Sequence, residues 1–112
     1  NLPSSVVHDY LALIVNITWF VKPEKRAQFV AELSGKLPVT RAYDGCHWLY
    51  LANNAESEAD RVEAVSMWDS REKYDAYLAF REESGELGEF EAKYYTAYPQ
   101  WKYMPVLMDF NR

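Results

Sequence analysis

Residues 61–81, RVEAVSMWDSREKYDAYLAFR, hold the step from which the rest of the chain is read. The first eight, 61–68, read as a strand rich in β-formers. Asp69 or Ser70 can cap a following helix, with Glu72 and Lys73 in its first turn. Tyr74, Tyr77, Leu78 and Arg81 then lie on one face of that helix. Upstream, residues 46–52, CHWLYLA, read as another strand. The polar, acidic stretch 53–60 between the two strands is short enough for a hairpin.

Further upstream, residues 11–21, LALIVNITWFV, read as a buried first strand. Strand side chains alternate, so Asn16 and Thr18 share a face with Ile14 and Phe20. Lys22-Pro23-Glu24 is a helix-start signature. Phe29, Val30, Leu33 and Leu37 recur at helical spacing, which predicts a helix over 23–36 ended by Pro38. Residues 39–45 then form a connection closed by Asp44-Gly45. Downstream, Gly85 and Gly88 break the second helix, and a further helical piece is expected over 86–95, stopped by Pro99. Residues 101–110, WKYMPVLMDF, read as the last strand, with Pro105 marking an edge position or a bulge. Residues 1–10 are expected to be a lead-in tail, and 11–112 a single domain.

The order β-α-β-β-α-β is the ferredoxin-like α+β pattern, an antiparallel sheet with both helices on one face. Nothing in 112 residues is left to cover the other face. A homodimer packed sheet against sheet is the economical answer. Asn16, Thr18, Phe20, Ser66 and Trp68 are expected on that uncovered face.

Composition narrows the function. Twelve basic against 17 acidic residues, a net of −5, argue against a nucleic-acid partner, which needs a basic patch. No run approaches the ~20 apolar residues of a membrane span. Cys46 is the one cysteine, so neither an internal disulfide nor a cysteine zinc site can form. The lone thiol suits a reducing, cytoplasmic compartment. His8 and His47 are too few for a histidine-rich metal site. Four Trp, nine Tyr and five Phe are enough for an aromatic core and for a pocket that takes a flat ligand.

No phosphate-binding loop, dinucleotide fingerprint, nucleophile elbow or zinc-protease motif occurs. Cys46 and His47 are neighbours on a strand and point to opposite faces, which disfavours a thiolate dyad. Glu82, Glu83, Glu86, Glu89 and Glu91 read as a solvated helix face. The informative polar residues are those on apolar strands. Asn16 must satisfy its amide inside the first strand. Ser66 and Trp68 share a face of the third, with Trp68 at its end.

The stretch Met67-Trp68-Asp69-Ser70-Arg71-Glu72-Lys73-Tyr74-Asp75-Ala76-Tyr77-Leu78-Ala79-Phe80-Arg81 resembles the third strand and second helix of the antibiotic biosynthesis monooxygenase domain family, in the quinol monooxygenase type. Trp19-Phe20-Val21-Lys22-Pro23 and Asp44-Gly45-Cys46 fit the same pattern, and the likeness runs over roughly residues 11–110. The resemblance implies a dimeric α+β barrel that oxidises quinols, anthrones or similar flat phenolics with O₂ and no cofactor. In the anthrone-oxidising branch an Asn, a Trp and a Tyr are implicated; Trp68 and Tyr74 match the last two, while Ala64 stands where the Asn belongs. The haem-degrading branch needs a histidine in the second helix, near Leu78, and none is there, so haem degradation is disfavoured. The autoinducer-isomerising branch leans on histidines that are also missing.

The function implied is a cofactor-independent monooxygenase acting on a small aromatic substrate and O₂. Asn16 would hydrogen-bond the developing oxyanion, Trp68 would stack on the ring or bond O₂ through its N–H, and Tyr74 would orient the substrate or relay a proton. Thr18, Phe20, His47, Ser66 and Tyr77 complete the expected binding set, with no metal. The rival reading is a dimeric-barrel module that binds a small ligand without turnover.

Overall fold

The computed structural model describes residues 12–111; the expected tail, and Leu11 of the expected first strand, lie outside the described residues. Four strands form one sheet: β1 (Leu13–Val21), β2 (Cys46–Asn53), β3 (Arg61–Trp68) and β4 (Tyr95–Pro105). The spatial order is β2-β3-β1-β4 and every pairing is antiparallel. Three helices, α1 (Arg26–Ala42), α2 (Arg71–Glu83) and α3 (Glu86–Tyr94), join them, and a 3-10 turn at Pro23–Lys25 leads into α1. This is the ferredoxin-like α+β fold expected from the element order.

Register decides which residues share a face. Leu13 pairs with Trp68, Val15 with Ser66, Ile17 with Ala64 and Trp19 with Val62. Odd residues of β1 therefore lie beside even residues of β3, and both sets face the helices, all buried except the partly buried Ile17. Asn16, Thr18 and Phe20 point the other way, beside Val65, Glu63 and Arg61. This corrects the expected uncovered face: Ser66 (6% exposed) and Trp68 (0%) belong to the helix side. In β2 a bulge between Cys46 and Trp48 changes the alternation, because an extra residue shifts every later side chain. Cys46, Leu49 and Leu51 join the helix face; Trp48 and Tyr50 join the open one.

The core has two parts. Phe29 of α1 packs edge-on against Trp19, Phe90 and Tyr94 at 5.2–5.7 Å between ring centroids. A second cluster joins Leu13, Val15, Cys46, Trp68, Tyr74 and Tyr77.

Local chemistry explains the helix ends. Ser70 caps α2, its hydroxyl accepting from the Lys73 backbone N–H at 3.2 Å. Gly85, at φ 79°, takes the left-handed conformation that separates α2 from α3. Pro38 does not end α1. The helix runs through it to Ala42, since Thr40 (4% exposed) is held by bonds to Tyr77 and Arg81 of α2, which keep the last turn in place. Nor does Pro99 stop α3. The chain turns into β4 at Tyr95, held by the Lys22 N–H to Tyr94 C=O bond of 2.8 Å, and Pro99 sits where the pairing with β1 bulges. β4 thus starts six residues before the expected 101 and ends at Pro105, on an edge strand.

Candidate functional site

A cavity of about 300 Å³ opens between the helix face of the sheet and the three helices. That is the lower end of the size range of small-ligand pockets, ~300–1,000 Å³. Its walls are apolar and aromatic, among them Ile17, Leu37, Leu78, Phe90, Tyr95 and Trp101. Its polar end is built by Arg81, Tyr77, Glu86 and Lys36.

Arg81 sits on the apolar side of α2 and is 8% exposed. Its Nε donates to the Tyr77 hydroxyl at 3.0 Å, and one Nη donates to Glu86 at 3.0 Å. The other Nη donates to the Lys36 carbonyl (2.9 Å) and to Thr40 Oγ1 (3.0 Å). The Thr40 and Tyr77 hydroxyls are 2.6 Å apart. Lys36 donates to the other Glu86 oxygen at 2.8 Å. Burial works against the Arg81 charge, yet the bonds to Tyr77 and Glu86 outweigh it and raise its pKa. The Lys36 ammonium is the main reason the Glu86 carboxyl lies below its ordinary range. One guanidinium thus joins α1, α2 and the start of α3 with every bond charge-assisted.

The expected site residues divide between two faces. Trp68, Ser66, Tyr74 and Tyr77 are together on the helix side. Trp68 is fully buried, its Nε1–H donates to Ser66 Oγ at 2.9 Å, and its ring lies 5.2 Å from those of both Tyr74 and Tyr77. Tyr74 is 1% exposed and accepts from Trp101 Nε1–H at 2.8 Å; burial pushes its phenol far up. Of this group only Tyr77 reaches the cavity wall. Asn16 and Thr18 are on the open face, donating to Glu63 at 3.0 and 2.6 Å. Asn54 donates to the same carboxylate at 3.1 Å. Burial raises the Glu63 pKa, but these three donors outweigh it and the net shift is downward. Phe20 lies under the Arg61 guanidinium at 5.0 Å. His47 occupies the β2 bulge, half exposed, and pairs with Asp69.

The structure therefore does not bring Asn16 to Trp68 and Tyr74. It adds Arg81, Thr40, Glu86 and Trp101, which the sequence reading left outside the site. The available signal was Arg81 itself, a charge at the helical spacing of Tyr74, Tyr77 and Leu78. A second concavity, about 550 Å³, lies on the open face between Ile14, Trp48, Tyr50, Met67 and the chain after β4. Among the described residues no three His, Cys, Asp or Glu side chains converge to hold a metal, and no helix is long and apolar enough to cross a membrane.

Comparison with known proteins places this architecture. No curated protein matches the sequence significantly. Among solved structures, a Shewanella oneidensis protein aligns with a TM-score of 0.75 at 16% identity, over 87% of this chain and 92% of that one. A Mycobacterium tuberculosis protein aligns with a TM-score of 0.66 at 23% identity, over 89% and 99%. A monooxygenase of Streptomyces coelicolor, solved in complex with nanaomycin D, aligns with a TM-score of 0.68 at 17% identity, over 97% and 99%. At such identities the likeness is one of fold. The sequence itself matches the family model for antibiotic biosynthesis monooxygenase over residues 12–82, from β1 through nearly all of α2, and by that match the chain belongs to the antibiotic biosynthesis monooxygenase family.

Proposed function

We propose that this chain is a cofactor-independent monooxygenase that oxidises a flat phenolic, quinol or anthrone-like substrate with O₂. The observation that carries the proposal is the helix-side cavity: apolar aromatic walls closed at one end by Tyr77, Arg81, Glu86 and Lys36. Such a cavity suits a flat ring with one oxygen at its edge. Membership of the family and the nanaomycin D complex of the Streptomyces relative support the same class of ligand.

The chemistry needs no external reductant. An anthrone loses a proton to give its electron-rich enolate, which passes one electron to O₂. The two radicals join in a C–O bond, and the resulting hydroperoxide loses water to leave a carbonyl. One oxygen atom ends in the product and the other in water, with all four electrons drawn from the substrate carbon. The protein's share is to bind the ring, favour the anion by hydrogen bonding at the polar end of the cavity and exclude bulk water. Trp68 and Tyr74 brace Tyr77 from behind. The protein acts as a homodimer in the cytoplasm, with the open sheet face and the exposed Leu107, Met108 and Phe110 as its interface.

A second reading, a binding module without turnover, is favoured by two observations. Asn16 faces away from the cavity, and the Trp68 N–H is already bonded to Ser66. Oxygen uptake with a panel of quinols and anthrones, with chelator present, separates the two. Consumption of one O₂ per product supports the monooxygenase. Saturable binding of the same compounds without uptake supports the module.

A further inference from the structure

A tyrosine hydroxyl has one proton and two lone pairs. At Tyr77 one lone pair is taken by Arg81 Nε–H, which can only donate. The Thr40 hydroxyl, at 2.6 Å, either accepts from Tyr77 or donates to it. Thr40 Oγ1 already accepts from Arg81 Nη2 at 3.0 Å, so its own proton is free to turn toward Tyr77. In that arrangement the Tyr77 oxygen accepts two hydrogen bonds, one from a cation, and its proton is released for an acceptor elsewhere. An O–H polarised in this way is a stronger donor than an isolated phenol. Tyr77 and Arg81 line the cavity, whereas Thr40 lies behind them.

We infer that Tyr77 donates its hydroxyl hydrogen bond to the oxygen of a phenolic ligand in the cavity, with Arg81 and Thr40 as its positioning residues. The inference rests on the reading that the cavity takes a flat phenolic ligand, and it names the contact that recognises the phenol oxygen. A ligand oxygen selects the arrangement in which Thr40 donates. The charged groups of the cavity come from all three helices. Arg81 on α2 and Lys36 on α1 share one carboxylate, Glu86 of α3, and Glu82 and Glu91 also line the cavity. The aromatic neighbours of Tyr77, namely Tyr43, Trp68 and Tyr74, bring no formal charge. Lys36 and Arg81 are set against Glu82, Glu86 and Glu91, so the lining has no cationic excess, and a phenol's anion is favoured there by the hydrogen bond that Tyr77 donates to it.

The test uses 4-nitrophenol, whose anion absorbs in the visible, titrated with pH in complex with the wild type, Tyr77→Phe and Thr40→Val. The bound probe is expected to ionise at a pH lower by about one unit in the wild type than in Tyr77→Phe, a tenfold change in its ionisation equilibrium. Thr40→Val is expected to raise the ionisation pH by a smaller amount, and it carries the test if circular dichroism shows Tyr77→Phe unfolded. Equal ionisation in the wild type and Tyr77→Phe would overturn the inference. So would a fall or no change in Thr40→Val, or the absence of saturable probe binding to the wild type. Oxygen uptake is read separately. No uptake with the expected titration removes the monooxygenase and leaves the Tyr77 contact standing; uptake with an unchanged titration does the reverse.

Discussion

Trp68→Phe tests whether the residue at the end of β3 works on a ligand or on the fold. Trp68 is 0% exposed, with rings of Tyr74 and Tyr77 at 5.2 Å and its N–H bonded to Ser66 at 2.9 Å. Replacing indole by phenyl removes buried apolar volume worth about two methylenes, at ~0.8 kcal/mol each. It also removes the bond to Ser66, worth about 1 kcal/mol. Together these give a loss of about 2–3 kcal/mol, and for a domain of this size a fall in Tm of roughly 10–20 °C. Since Trp68 is absent from the cavity wall, kcat per folded molecule is expected to change less than about threefold, a barrier change under about 1 kcal/mol. The assays are thermal unfolding by circular dichroism and oxygen uptake normalised to folded protein. A tenfold or larger loss of kcat with Tm shifted by less than about 4 °C, the equivalent of at most ~1 kcal/mol, refutes the assignment of Trp68 to the core.

Three other outcomes are expected. Glu63 has a lowered pKa in the fold, so its contribution is full above the ordinary carboxylate range and is lost as pH falls through it; between about pH 5 and about pH 3 the urea midpoint of Glu63→Gln should fall less than that of the wild type. Ser70→Ala removes the cap of α2 and should cost about 1 kcal/mol, read as a Tm lower by roughly 4–8 °C. Sedimentation equilibrium at micromolar protein should give twice the chain mass, because an obligate dimer buries on the order of 2,000 Å² or more; a monomer there would sink the sheet-to-sheet model.

The strand-turn-helix step over 61–81 was legible because the step, its cap and the helical face are all local. The two prolines misled for one reason. Pro38 and Pro99 are local breakers whose effect is overridden at a distance, the first by Thr40 bonding α2 and the second by a bulge at the sheet edge. The residues that line the cavity were legible only in part. Tyr77 was named and Arg81 was seen to share its helical face. The grouping of Asn16 with Trp68 failed because alternation within a strand does not say which parity meets which across a ladder. The pairing of Leu13 with Trp68 sets that parity, and it is a property of two strands at once. The bulge at His47 had the same effect on β2, so neither continuous alternation along it holds.

Every open sheet has two flanks that invite a further chain to add on. Here they are β2 and β4. β2 is kinked by its bulge just after Cys46, and β4 carries Pro99 at a bulge and Pro105 at its end, positions with no N–H to offer. A neighbouring molecule that tried to extend the sheet would meet an uneven ladder on one flank and missing donors on the other. The open face is the one left for the proposed second copy, while the flanks resist a third. The same irregularities that obscured the strands in the sequence thus guard a concentrated, tyrosine-rich protein against growth into fibres.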